Sequence, residues 1–270
     1  MEVLNLAVAP AYEKAGAVPP AKPAELKVML LPPVLERRKT RPMIIVVPGG
    51  GYAYTSDREA EPVALRFMAE GFHAAVLRYS CAPSRWPVAA LELAWSIRRA
   101  RTNAQEWGVD PDRVYVIGFS AGGHLACSVG TLWDREPLAG EGVSCRPDAQ
   151  VLCYPVITLG QYTHAGSRDE LTGGSPELAE ALSLEKRVTP QTPATFLWHT
   201  AEDGSVPVEN SMLYAAALRR EGVPFELHIF ERGGHGLATA DEETAHTPDQ
   251  VIPDVQAWLP LAVRFLKRRG

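Results

Sequence analysis

At 270 residues the chain is long enough to bury most of the surface it would expose unfolded, so it needs no disulfide framework or structural metal to hold a core. Its 46% hydrophobic and 22% charged residues are ordinary for a globular domain and exclude a disordered or fibrous chain. A net charge of −5, spread along the chain, argues against nucleic acid, whose phosphates call for a basic patch, and the one basic cluster, Lys267-Arg268-Arg269, reads as a helix end facing its own dipole.

Cys81, Cys127, Cys145 and Cys153 form no CxxC pair, and Cys127 and Cys153 read as small core residues. Neither a disulfide framework nor a zinc site is expected. Residues 1–10 carry Glu2 and no basic stretch, which is not the pattern of a signal peptide. No apolar run reaches the length of a membrane span. The expected compartment is the cytoplasm, with no membrane partner.

Residues 1–270 read as one domain. Residues 1–23, rich in Ala and Pro and without period, read as an irregular arm. Residues 26–31 read as a strand stopped by Pro32-Pro33. Residues 43–47 (MIIVV) are a continuous apolar run ended by Pro48 and three glycines, the pattern of a strand buried on both faces. Residues 59–70 take helical spacing, with Val63, Phe67 and Met68 on one face and Gly71 as the stop. Residues 74–79 form the next strand, and residues 87–107 a long amphipathic helix marked by Leu91, Ala94, Trp95 and Arg98 and closed by Gly108. A short buried strand at 114–118 leads into a small-residue helix at 121–130. After a strand at 149–154, residues 156–192 are a long excursion with a short helix at 176–182. A strand at 194–199, a helix at 208–221, a strand at 225–230 and a closing helix at 253–269 complete the chain.

Strands alternating with helices of this length imply a mostly parallel sheet with right-handed crossovers and helices on both faces, an α/β architecture. Ligands in such sheets bind at the carboxyl ends of the strands. The loops after Val47, Gly118, His199 and Phe230 therefore matter most.

The loop after Gly118 reads GFSAG, a G-x-S-x-G pattern between a predicted strand and a predicted helix. By itself the pattern is a glycine-rich turn. In this context a sharp strand-to-helix turn exposes the Ser120 hydroxyl, and the Ala121 N–H at the helix start can face a developing oxyanion. After Val47 comes Pro48-Gly49-Gly50-Gly51-Tyr52. Three glycines let backbone N–H groups point into a cavity, and Gly50 and Gly51 are the candidate oxyanion donors. Pro48 stands where HGGG-type loops have histidine, a change the backbone donors do not feel.

After His199 come Glu202 and Asp203, followed by Gly204 and Val206-Pro207. Asp203 is the candidate triad acid, because Gly204 suits a tight turn that aims it inward, and Glu202 is its local rival. The last loop holds Gly233-Gly234-His235-Gly236, where glycines let an imidazole reach over the sheet edge. Ser120, Asp203 and His235 follow the chain order expected of this triad. The other histidines read as structural: His73 and His228 at surface or edge positions of strands, His124 as a packing or capping residue under the turn, His164 and His246 in irregular polar segments, and His199 in a structural hydrogen bond. No histidine pair has metal spacing, and neither a metal nor a cofactor is implied.

With these residues in place, the chain from about Pro42 onward resembles the bacterial acetyl esterase and acetyl-xylan-esterase-like branch of the α/β-hydrolases. The resemblance rests on PGGGY at 48–52, Arg58-Glu59, GFSAGGHLA at 118–126, WHTAEDGSVPVENS at 198–211 and GGHG at 233–236. It implies a serine carboxylic ester hydrolase taking a small-molecule ester, with short acyl groups such as acetyl on plant-derived sugars. It also implies an acyl pocket near Tyr52 as substrate contact, and a small cap formed by residues 156–192. An imidazole base fails once protonated, so activity is expected to fall below about pH 6. The same triad serves an arylformamidase-type amidase or a peptidase, and the fold without the chemistry would be a binding protein. No paired carboxylates suggest glycosidase chemistry. A homodimer is left open.

Overall fold

The computed structural model describes residues 1–33, 40–140 and 142–269. The chain opens with strand β1 (Glu2–Asn5), helix α1 (Ala9–Lys14) and strand β2 (Glu25–Met29). Strand β3 (Arg41–Val47) leads through α2 (Glu61–Ala69) to β4 (His73–Arg78). Helices α3 (Val88–Thr102) and α4 (Ala104–Trp107) carry the chain to β5 (Val109–Phe119), and α5 (Ala121–Leu132) carries it to β6 (Ala149–Cys153). An insert with α6 (Ala165–Thr172) and α7 (Pro176–Ala181) precedes β7 (Ala194–Thr200). Helix α8 (Glu209–Arg220), strand β8 (Phe225–Phe230) and helices α9 (Pro253–Gln256) and α10 (Trp258–Lys267) follow.

The strands form one sheet in the order β1-β2-β4-β3-β5-β6-β7-β8. The pairs β1·β2 and β2·β4 are antiparallel and the rest are parallel. The chain moves outward from β3 to β4, then returns to lay β5 on the other side of β3. Loops leaving the carboxyl ends of β3 and β5 diverge there and open a crevice. The glycine loop and Ser120 sit on its two lips.

The run at Met43 shows why the strand is fully apolar. Met43, Ile45 and Val47 face a core shared with α3, α5 and α8, while Ile44 and Val46 face a second core with α2 and α10. A strand covered on both faces has no polar side to alternate with.

Four expectations need correcting. The first 23 residues are not irregular throughout: β1 extends the sheet edge and α1 docks Tyr12 into the core. A four-residue edge strand and a six-residue helix are too short to print a period on the sequence. The helix expected over 87–107 breaks at Asn103, where Thr102 and Asn103 turn their side chains to Arg99 O and Glu106. The closing helix is likewise two pieces, because Pro260 lacks the N–H that would bond back to Gln256. His73 is buried, not superficial, because β4 runs between β2 and β3. Its Nδ1 accepts from Leu31 N–H at 3.0 Å, so its Nε2 carries the proton and donates to Gly108 O at 3.1 Å. Burial lowers its pKa.

The N-terminal segment is tied down by a buried carboxylate. Glu92, on α3, accepts from Tyr12 Oη at 2.7 Å, Ser80 N at 2.7 Å and Ser80 Oγ at 2.6 Å. Burial pushes its pKa up, and these three donors oppose that push. We predict that Tyr12→Phe destabilises the fold by roughly 1–3 kcal/mol, the worth of a hydrogen bond to a charged group. Urea unfolding should show a lower midpoint with an unchanged slope; an unchanged midpoint would refute the role of this bond.

Candidate active site

Ser120 joins β5 to α5 in a strained conformation, φ 52° and ψ −119°. Its N–H donates to Cys153 O at 3.0 Å, and its carbonyl accepts from His124 N at 3.1 Å and Val156 N at 3.1 Å. The glycines of the motif are there for close approach. A Cβ on Gly118 would lie 2.2 Å from Gly122 O, and one on Gly122 would lie 2.2 Å from Val47 O and 2.3 Å from Pro48 O. The turn is thus wedged against the end of β3, which brings the glycine loop to the serine.

Ser120 Oγ lies 2.8 Å from His235 Nε2, and His235 Nδ1 lies 2.7 Å from Asp203 Oδ2. A carboxylate only accepts, so Nδ1 carries the proton and Nε2 accepts from the Ser120 hydroxyl. Asp203 Oδ1 accepts from Ser205 N and Val206 N, each at 2.9 Å. Glu202 faces elsewhere: its Oε2 accepts from Gly233 N at 3.1 Å, and Thr200 Oγ1 donates to Gly233 O at 2.7 Å. Both bonds fix the loop that carries His235.

His199 stands beneath the acid, fully buried. Its Nε2 donates to Val206 O at 2.9 Å and lies 3.3 Å from Asp203 Oδ2; its Nδ1 accepts from Ser211 Oγ at 2.8 Å. Burial alone would raise the Asp203 pKa. The donors from His199, His235 and Val206 outweigh burial and hold the carboxyl well below the usual carboxylate range.

The N–H groups of Gly50, Gly51 and Ala121 are spent on no partner among the described residues. Gly49 holds the loop instead, donating to Glu59 Oε2 at 2.8 Å. Glu59 Oε1 accepts from Tyr154 Oη at 2.7 Å, and Tyr154 Oη accepts from Ala238 N at 2.9 Å. Glu59 and Tyr154 are both buried, and the Tyr154 ring packs edge-on against His235 with centroids 5.1 Å apart. One carboxylate therefore links the glycine loop to the loop of His235. The sequence reading had Glu59 only as part of a resembling segment and missed Tyr154, whose one local mark is its place at a strand end before Pro155.

Tyr52, the expected substrate contact, is turned into the core. Its side chain is 3% exposed and its hydroxyl bonds His124 Nδ1 at 2.9 Å. That Nδ1 accepts, because His124 Nε2 donates to Leu182 O at 2.9 Å. Burial depresses the His124 pKa to about 4, so the ring is a neutral strut under the turn.

The chain belongs to the BD-FAE family of α/β-hydrolases, whose model matches residues 29–218, and by class it is an enzyme of the serine-esterase type. It is similar to the acetyl ester-xyloside bifunctional hydrolase of Caldicellulosiruptor lactoaceticus, with 42% identity and a TM-score of 0.83 over 92% of this chain and 89% of that one. It is also similar to endo-1,4-beta-xylanase B of Butyrivibrio fibrisolvens, 40% identical over 75% of this chain and 33% of that protein. A third relative is the acetylxylan esterase of Xylanibacter ruminicola, 29% identical over 80% of this chain and 45% of that protein. The chain thus spans a third to under half the length of these last two. Among the described residues no helix is long and apolar enough to cross a membrane.

Two predictions follow from the site. Glu59→Gln keeps the shape but turns an amide N–H₂ toward Gly49 N–H or Tyr154 O–H. We expect kcat on p-nitrophenyl acetate to fall about tenfold to hundredfold with KM nearly unchanged, the mark of misplaced oxyanion donors. Equal changes in both constants, or none, would refute the link. The second concerns acid. The folded-state pKa of Asp203 lies below its unfolded value, so its charge stabilises the fold above the unfolded pKa, about 4, and that share is lost as pH falls. The stability gap between wild type and Asp203→Asn should therefore narrow in urea titrations run from pH 6 down to pH 3. A gap constant over that range would contradict the assignment.

Proposed function

We propose that this chain hydrolyses short-acyl carboxylic esters, with acetyl groups on sugars such as xylo-oligosaccharides as its substrates. The observation that carries the reading is the continuous line from Asp203 through His235 to Ser120, ending beside the unspent N–H groups of Gly50, Gly51 and Ala121. Ser120 Oγ attacks the ester carbonyl while His235 Nε2 takes its proton, and Asp203 steadies the imidazolium. The carbonyl oxygen becomes an oxyanion held by those three N–H groups, each worth roughly 3 kcal/mol in comparable enzymes. His235 then gives its proton to the departing alcohol oxygen, leaving an acyl-serine. Water, deprotonated by His235, attacks the acyl carbon and releases the acid and free Ser120.

The substrate class comes from the relatives. One is named an acetyl ester-xyloside bifunctional hydrolase and another an acetylxylan esterase. The xylanase name is not carried over. The two buried carboxylates near Ser120 are already spent, Glu59 on Gly49 and Tyr154, Asp203 on His235 and its loop, so neither stands ready to protonate a glycosidic oxygen. The four cysteines are free thiols, which fits a reducing compartment, the cytoplasm in our reading.

Hydrolysis of p-nitrophenyl acetate, butyrate and octanoate by wild type and Ser120→Ala tests the proposal. We expect acetate to be preferred, and kcat to drop at least about 10⁴-fold in the variant. A folded wild type without activity on any of the three, or a Ser120→Ala variant that keeps it, would overturn the reading.

A further inference from the structure

The insert between β6 and β7 places a second imidazole, His164, over the glycine loop. His164 precedes α6, and its Nδ1 accepts from Ser167 N at 3.1 Å and contacts Ser167 Oγ at 2.8 Å. A backbone N–H can only donate, so Nδ1 is the acceptor and the neutral ring must carry its proton on Nε2. That Nε2–H has no partner among the described residues. The ring lies over the glycine loop: a Cβ on Gly51 would sit 3.9 Å from both His164 Cε1 and Ser167 Oγ. It is half-buried. Burial first, then the positive charge available at His235, lower its pKa, against the opposing pull of Asp203.

An N–H left unbonded over the glycine loop, whose own N–H groups are the candidate oxyanion donors, is placed to grip the alcohol of a bound ester. An alkyl or aryl alcohol offers it nothing to bond. A polyhydroxylated alcohol offers a hydroxyl next to the ester oxygen. We propose that His164 Nε2–H is a specificity-determining donor that binds a hydroxyl of the alcohol part of the substrate, selecting sugar and polyol esters over simple ones. The inference rests on the ester-hydrolase reading above and deepens it.

The competing role is structural, since the same ring caps α6 through Nδ1. The variant His164→Asn separates the two, because an asparagine carbonyl caps a helix start as well as any residue but is too short to present the second donor. The experiment compares kcat/KM on p-nitrophenyl acetate, glyceryl monoacetate and acetylated methyl xyloside, with thermal unfolding alongside. We expect unchanged unfolding, unchanged activity on p-nitrophenyl acetate, and about a five- to tenfold loss on both hydroxylated esters, carried by KM, the worth of one neutral hydrogen bond. Equal losses on all three esters, or no loss on any, would overturn the proposal while leaving the ester-hydrolase reading intact. A folded wild type that cleaves none of the three would overturn both.

Discussion

The arrangement of the whole site depends on how closely the backbone of the Ser120 turn is pressed against the end of β3. Gly122 meets the carbonyls of Val47 and Pro48 at distances no Cβ could share, and Gly49 in turn would strike Phe119 O at 2.8 Å if it bore one. Because the two loops are in contact without side chains between them, the serine hydroxyl and the free N–H groups of the glycine loop share one small volume. The strained φ of Ser120 is held by bonds to Cys153 O, His124 N and Val156 N, so the neighbouring strand and helix over-determine it. Relaxing the turn would mean giving up those bonds and the β3 contact together. The sheet supplies the rest, since its switch of strand order between β3 and β5 opens the crevice at this point.

A buried carboxylate close to a site that must stabilise negative charge needs a reason to be there. Among the described residues Glu59 meets no cation; its partners are Gly49 N–H and Tyr154 O–H. Its charge opposes an oxyanion but favours the imidazolium that forms at His235 in the same step, and its geometric work is to fix two loops at once. Tyr154 extends that fix, since its hydroxyl accepts from Ala238 and its ring packs on His235. The nucleophile, the glycine loop and the base are therefore set by one connected group of buried side chains.

How much of this was legible in the sequence follows from how local each signal is. Ser120, the glycine loop, Asp203 and His235 each stand in a short motif at a predicted strand end, and the strand–helix alternation fixed where those ends gather. The MIIVV run announced a doubly covered strand because burial on both faces writes itself into consecutive residues. Glu59 and Tyr154 are 95 positions apart, and nothing in either neighbourhood says they touch. The family resemblance marks Tyr52 as a substrate contact, yet its ring turns inward to a histidine 72 positions away. The N-terminal strand and helix stayed invisible for another reason: edge pairing uses backbone groups, which every residue has, and leaves no pattern of side chains.

The same limit explains the two histidines around Asp203. Both His199 and His235 reach one oxygen of the acid, but they are not equivalent. His199 must donate from Nε2, because Val206 offers it a carbonyl, and its Nδ1 accepts from Ser211, so both ring nitrogens are bonded. His235 has a carboxylate on one nitrogen and a serine hydroxyl on the other, so it has an open position for one more proton. A single carboxylate is thus steadied by a ring bonded at both nitrogens and coupled to the ring that serves as base. Burial would otherwise favour protonating Asp203, which would strip His235 of its orientation; the fixed donor from His199 and the backbone N–H groups of Ser205 and Val206 keep the acid ionised instead. The base can cycle because the acid beside it is held constant.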